Sequence, residues 1–246
     1  MIWRLLGALG ILALSSQVAF GQTLDLQSLF PSGDASVSGR IVQLLVVMTV
    51  LSVAPGLLMM VTSFARFAIA FSFLRTGLGL GTTPNNLIII SLALFMTLFV
   101  MAPTFQDAWD NGVRPMVENK ISQQDGYTRT TAPFRTFMRA NVREKDLAMF
   151  EQMSAERFGE QNKAGPDDLR VLMPAFMISE IRRGFEIGFL ITLPFLVIDL
   201  VVATIMTAMG MMMMPPTVVS LPLKVLFFVL VDGWSLLVGA LVKSFV

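Results

Sequence analysis

Residues 172–208 read LMPAFMISEIRRGFEIGFLITLPFLVIDLVVATIMTA, and residues 209–216 follow as MGMMMMPP. The first half of the long stretch carries Glu180, Arg182, Arg183 and Glu186, while its second half carries Asp199 alone. A helix needs about 20 apolar residues to cross the hydrocarbon layer of a bilayer. The stretch therefore predicts one long helix from near Leu172 to about Ala208. Gly210 and the Pro215-Pro216 pair then interrupt it. Met209, Met211, Met212, Met213 and Met214 fill the interruption, in a segment with no charge. Methionine is unbranched and deformable, so such a run can seal an irregular gap without fixing its shape. A further helix is expected from about Ser220 to Val242, with Pro222 in its first turn and Lys224 and Asp232 inside it.

Reading outward, the whole chain matches this beginning. Of 246 residues, 54% are hydrophobic and 14% charged, and the mean hydropathy is +0.71. A water-soluble domain carries about a quarter charged residues, so the class is an all-α membrane protein. The formal charge of +1 argues against nucleic acid as a partner. Cysteine and histidine are both absent. That removes disulfides, thiolate metal sites and the commonest general base and metal ligand. No cofactor is expected.

Ile41–Met60 carries no charge, and its apolar character continues past Arg66 to Arg75. One long bent helix and a helical hairpin both fit, with Pro55-Gly56 a candidate kink. The glycines at 77, 79 and 81 read as a turn. Thr83 then offers an N-cap before Pro84, and Leu87–Ala102 forms a second apolar helix ended by Pro103. Residues 103–170 hold ten Lys or Arg and eleven Asp or Glu. Leu147, Phe150, Met153 and Phe158 recur there at helical spacing, which predicts a folded, mostly helical, water-facing domain. At the start, Arg4, the apolar Leu5–Leu14 and Ala19-Phe20-Gly21 resemble a signal peptide cleaved before Gln22, the alternative being an uncleaved N-terminal membrane anchor. The resulting organisation is a signal peptide at 1–21, a flexible lead-in at 22–40 and a first helical pair at 41–103. An extracytoplasmic helical domain at 104–170 follows. A second helical pair at 171–246 contains the methionine-rich loop at 209–216. Arg66 and Arg75 favour a cytoplasmic first turn, which puts the charged domain on the far side.

Charges in apolar helices are costly and mark either ion pairs or a conducting path. Glu180, Arg182, Arg183 and Glu186 lie three or four residues apart and can neutralise one another along the helix. Asp199 and Asp232 need partners from Arg66, Arg75, Lys224 or a second subunit. Lys224 and Asp232 are two turns apart and are not expected to pair with each other. Structural pairing and a role in a translocation path both fit these residues. Enzymatic motifs are lacking: there is no metal-binding histidine helix, no phosphate loop with its lysine and no serine elbow. An intramembrane protease built on Asp199 and Asp232 lacks the expected flanking residues. The chain is not expected to be an enzyme.

The blocks PAFMISEIRRGFEIGF at 174–189 and PFLVIDL at 194–200 resemble the FliP family of flagellar biosynthetic proteins, whose injectisome relatives form the core gate of type III secretion. TSFARFAIAFSFLRTGLG at 62–79, LFMTLFVMAP at 94–103 and LPLKVLFFVLVDGWSLLVG at 221–239 extend the resemblance over nearly the whole chain after residue 40. The resemblance implies long kinked helices and helical hairpins that assemble into a helical or ring-like pore. It implies five copies joined by FliQ- and FliR-like subunits, together with other membrane export-apparatus components and lipid. In assembled gates of this kind the apolar helices are lifted largely above the inner membrane. The implied cargo is unfolded flagellar subunits, and the implied place is the bacterial inner membrane within the flagellar basal body, extending toward the periplasm. By the same resemblance, Met209 and Met211 to Met214 form the pore constriction. Glu180, Arg182, Arg183, Glu186, Asp199, Lys224 and Asp232 are the structural or gating charges. An injectisome-type gate, a small-solute channel and a non-conducting assembly scaffold are the alternatives.

Overall fold

The structure, a computed structural model, describes residues 37–159, 164–211 and 213–245. The expected signal peptide at 1–21 and part of the lead-in lie outside the described residues, as does Met212. Among the described residues every regular element is helical. The chain divides into two units, Met1–Ser52 and Val53–Val246. Helix α1, Val37–Met60, runs through the boundary. In the first unit its described apolar side chains, including Val42, Leu45, Met48 and Leu51, are exposed.

The second unit contains the end of α1, then α2 (Phe64–Leu78), α3 (Asn86–Ala108), a π-helical turn (Trp109–Val113) and the short α4 (Arg114–Val117). It continues with α5 (Gln123–Asn141), α6 (Glu144–Phe158), α7 (Leu169–Ala208), α8 (Thr217–Leu230) and α9 (Gly233–Lys243). Two stretches, Asn86–Val117 and Leu169–Ala208, are each long and apolar enough to cross a membrane. Two broken pairs meet the same test jointly: Leu44–Met60 with Phe64–Leu78, and α8 with α9.

Several ends follow from local chemistry. Gly79 terminates α2 in the left-handed conformation at φ 74°, with its N–H on the Thr76 carbonyl. Asn85, not Thr83, caps α3, its side chain accepting from the Leu87 N–H at 3.3 Å. Pro103 does not end that helix, which continues to Ala108. A proline removes one N–H and one turn of bonding, and apolar helices tolerate that loss where packing holds both sides. Met101 and Ala108 are buried on either side of it, and Phe105 meets Phe134 edge-on at 5.7 Å. Asp168 caps α7 three residues ahead of Val171, accepting from the Arg170 N–H at 2.9 Å. The expected single helix Ser220–Val242 is two helices, bent by 65° at Val231-Asp232. It begins at Thr217, so Pro222 falls in the second turn. The ring of Phe228 lies over Gly233, where any Cβ would collide with it.

The central crossing joins α2 to α7. A Cβ at Gly184 would fall 3.1 Å from Ile69 Cβ, one at Gly188 2.6 Å from Phe73 Cγ, and one at Gly77 2.8 Å from Thr192 Cγ2. Both helices thus contribute rows four residues apart, rising in the same direction, and the two helices run parallel. Phe67, Ala70, Phe71, Leu74 and Leu78 of α2 form one core with Ile89, Ala93, Phe195, Phe228, Leu237 and Leu241. A second core joins Met138, Val142 and Leu147 to Val171, Leu172, Ala175 and Phe176 at the start of α7. Leu147 is buried and Phe150 packs against that core, but Met153 and Phe158 of the same helical row are half exposed.

Two tests follow. Gly188→Leu should separate α2 from α7 and destabilise the fold by about 1–3 kcal/mol or more, the cost of overpacking a tight contact; detergent unfolding of the purified chain reads this directly. At the head of α7, hydrogen bonds from the Arg170 side chain and backbone hold the Asp168 carboxyl down at about 2, from an ordinary 3.8. A depressed carboxylate contributes stability above its unfolded value and loses it as pH falls through the folded one. Stability should therefore fall between about pH 4 and pH 2, and Asp168→Asn should flatten that part of the profile in a pH series of unfolding curves.

Candidate functional site

Two polar nodes lie inside the apolar bundle. In the first, Arg66 Nε donates to Glu180 Oε2 at 2.9 Å, and Nη2 bonds Glu180 Oε1. Both side chains are shielded from water. Arg66 Nη1 donates to the Ser244 carbonyl at 2.9 Å and to Ser244 Oγ at 2.7 Å. The Phe245 ring lies 3.6 Å from the guanidinium carbon and also stacks on Phe67 and Phe137. The guanidinium donors are thus bonded within the chain, and the planar fork is paired two-to-two with the carboxylate, the geometry in which such pairs are strongest. Next to Glu180, Ser179 Oγ sits 2.8 Å from both Asp146 Oδ2 and the Ala175 carbonyl, and it accepts from the Arg143 N–H at 3.1 Å. Successive residues of α7 therefore tie down α2 and the start of α6.

In the second node, Lys224 Nζ of α8 donates to Asp199 Oδ2 of α7 at 2.5 Å and to the Gly77 carbonyl at 3.1 Å. The Gly77 carbonyl lies in the last turn of α2, where the helix leaves carbonyls without intrahelical donors. One ammonium thus joins three helices. Asp199 Oδ1 is shielded and has no hydrogen-bond partner.

The remaining charges behave differently. Arg182 and Glu186 pair across one turn at 3.1 Å, both more than half exposed, and Arg143 approaches Glu186 at 4.0 Å. Such pairs are worth about 0.3–0.5 kcal/mol. The expected self-neutralising cluster is therefore split, because Glu180 turns inward to a partner 114 residues away. Arg183 is half-buried beside this layer. Asp232 is exposed in the left-handed conformation at φ 50°, at the break between α8 and α9, and makes no ion pair among the described residues. Ser244, Phe245, Ser179 and Asp146 were not legible as site residues. Ser179 adjoins Glu180 in the sequence, and that was the one available signal.

The methionine segment joins α7 and α8 at the tip of their hairpin. Gly210 has φ 74°, and the Met211 N–H reaches back to the Met206 carbonyl at 3.0 Å. Met213 is fully exposed, Met209 is 63% exposed, and Met211 and Met214 are exposed as well. Among the described residues, no group of three acidic, His or Cys side chains is placed to hold a metal.

Long apolar helices joined by buried ion pairs, with an uncharged methionine segment between two of them, define the class of helical membrane proteins. The chain belongs to the FliP family, whose sequence profile matches residues 47–241. It is 61% identical over 212 residues to the flagellar biosynthetic protein FliP of Agrobacterium fabrum, covering 86% of each chain. Against the FliP of Rhizobium meliloti it is 58% identical over 231 residues, 94% of each. Against that of Bacillus subtilis it is 46% identical over 218 residues, 89% of this chain and 98% of the relative.

Removing one partner of the Arg66–Glu180 pair leaves a buried charge unpaired. Glu180→Gln should cost about 3–5 kcal/mol, whereas Glu186→Gln should change stability by no more than about 0.5 kcal/mol. Parallel unfolding curves of the two variants in one detergent check the contrast.

Proposed function

We propose that the chain is the pore-building subunit of a flagellar type III protein export gate, and that its methionine hairpin closes the gate. The observation that carries the hairpin role is the exposure of Met209, Met211, Met213 and Met214 in the uncharged segment at the tip of the α7–α8 hairpin. A soluble loop of this kind would be polar. Four apolar side chains held out from the chain suit a surface completed by other copies.

Several copies arranged around an axis make a ring of thioethers. An apolar constriction excludes water and ions when empty. Flexible unbranched side chains then yield around an extended polypeptide of any sequence. The chain performs no bond chemistry in this scheme, and energy comes from other components of the apparatus. FliQ- and FliR-like subunits complete the assembly, five copies of this chain contribute to it, and unfolded flagellar proteins pass through. The segment 104–170 faces the periplasm, and residues 1–21 direct the chain to the membrane. Arg66, Glu180, Asp199 and Lys224 hold each hairpin at a fixed height, so that the methionines of neighbouring copies meet in one layer. Arg182, Arg183, Glu186 and Asp232 lie at surfaces where other subunits dock.

Alanine at Met209, Met211, Met212, Met213 and Met214 together should raise ion leakage through the assembled gate and leave assembly intact. Conductance in planar bilayers, paired with native gels of the complex, makes the measurement. An assembled gate with unchanged conductance would remove the hairpin from the permeation path.

A further inference from the structure

One face of α5 is used in folding and the opposite face is not. Gly126 packs on Met116, Thr130 on Gly112, and Phe134 on Phe105, so residues four apart line one side against the end of α3, the π turn and α4. At about 100° per residue, Arg135 and Arg139 fall on the opposite side of α5. Two adjoining grooves of about 510 and 600 Å³ lie there, both lined by Arg135 and Asp167. Ala132, Thr136 and Ala140 line the second with small side chains. Arg143 continues the row at the head of α6.

These arginines are incompletely satisfied. Arg135 Nε, Arg139 Nη1 and Arg143 Nη1 are each shielded from water and have no hydrogen-bond partner. Of the nearby acids, Asp167 lines both grooves and forms no ion pair among the described residues, Glu144 lies 3.7 Å from Arg139, Glu186 lies 4.0 Å from Arg143, and Asp168 is bonded to Arg170. A buried donor without an acceptor costs free energy that an incoming carboxylate removes.

The end of α3 and the π turn carry carboxylates. Asp107 and Asp110 are exposed, and neither forms an ion pair among the described residues. Trp109 stands between them, 55% exposed. Arg114, the next basic residue, is already paired with Glu118. Two carboxylates around an exposed tryptophan are the kind of anchor that protein interfaces use.

We propose that the arginine groove of one copy receives the Asp107–Asp110 turn of a second copy. Donor and acceptor patches are different surfaces of each chain, so the contact is head-to-tail and can be repeated until the copies close a ring. Electrostatic complementarity fixes its register. This contact rests on the multi-copy reading above and adds to it the surface through which neighbouring copies meet.

The chain contains no cysteine, which makes it a clean background for crosslinking. The full chain carrying Asn111→Cys and Thr136→Cys, expressed with its partner subunits, should form a covalent ladder of dimers and larger species under mild oxidation. Either substitution alone should not produce a ladder. Arg135→Asp with Arg139→Asp should lower the yield of oligomer at least about tenfold, as should Asp107→Arg with Asp110→Arg, and combining all four should restore it. The cysteine pair keeps the native charges, so it decides the matter even where a charge reversal prevents folding. No ladder from an intact oligomer, or no recovery in the combined variant, would overturn the head-to-tail contact and leave the groove to an acidic partner protein or an anionic headgroup. The pore-subunit reading survives that result. A chain that remains monomeric alongside its partner subunits would overturn both.

Discussion

Arg66 and Glu180 are both shielded from water in an apolar bundle, and two charges in that position are stable only while their geometry is complete. Completing it requires α2 for the guanidinium and α7 for the carboxylate. It also requires the residues just after α9, which supply the Ser244 oxygens and the Phe245 ring. Three distant parts of the chain must therefore arrive together. The same condition orients the neighbouring Ser179, which reaches Asp146 in α6. Phe245 stacks on Phe67 of one core and on Phe137, itself edge-on to Phe176 of the other. The polar node thus sits where the two cores meet and sets their register.

Along α7 the next constraint is steric. Gly184 and Gly188 admit Ile69 and Phe73, which brings the two backbones close and aligns α2 with α7 over several turns. That alignment carries the end of α2 to the level of Asp199, where Lys224 joins Asp199 and the Gly77 carbonyl. Each node limits sliding of one helix past another, because a slip of one residue would leave a charge or a carbonyl without its partner in an apolar setting. The hairpin of α7 and α8 is consequently anchored well below its tip, and the methionines at the tip make few ties of their own.

Much of the remaining surface is apolar and exposed, on α3, α7 and α8 alike. Fewer than a quarter of the residues in the most apolar windows of Asn86–Val117 and Leu169–Ala208 are buried, 22% and 17% respectively. One copy cannot bury such surface by itself, and lipid or neighbouring subunits must cover it. Charged residues outside the two nodes include exposed pairs, partly satisfied arginines and, without an ion pair among the described residues, Asp107, Asp110 and Asp232. The exposed pairs add little to the stability of one chain.

The sequence by itself determined the helical class and the membrane setting, because long charge-free runs leave no other way to satisfy the backbone in lipid. It also located the end of α7 at Ala208, since Gly210 and two prolines follow, and placed a turn at the glycines 77, 79 and 81, of which Gly79 ends α2 while Gly77 lies within it. Family membership was legible too, in the blocks around Glu180 and Asp199. Where packing competes with local signals, the sequence misled. Pro103 reads as a stop, yet flanking contacts carry the helix through it; the run through Asp232 reads as one helix, yet the Phe228 ring over Gly233 accompanies a break. The partners of the buried charges were settled only by the tertiary structure. Spacing along a helix favours neighbours three or four residues away, and Glu180 was expected to pair within its own turn. In the folded chain it faces Arg66, 114 residues distant, because only that partner is buried with it.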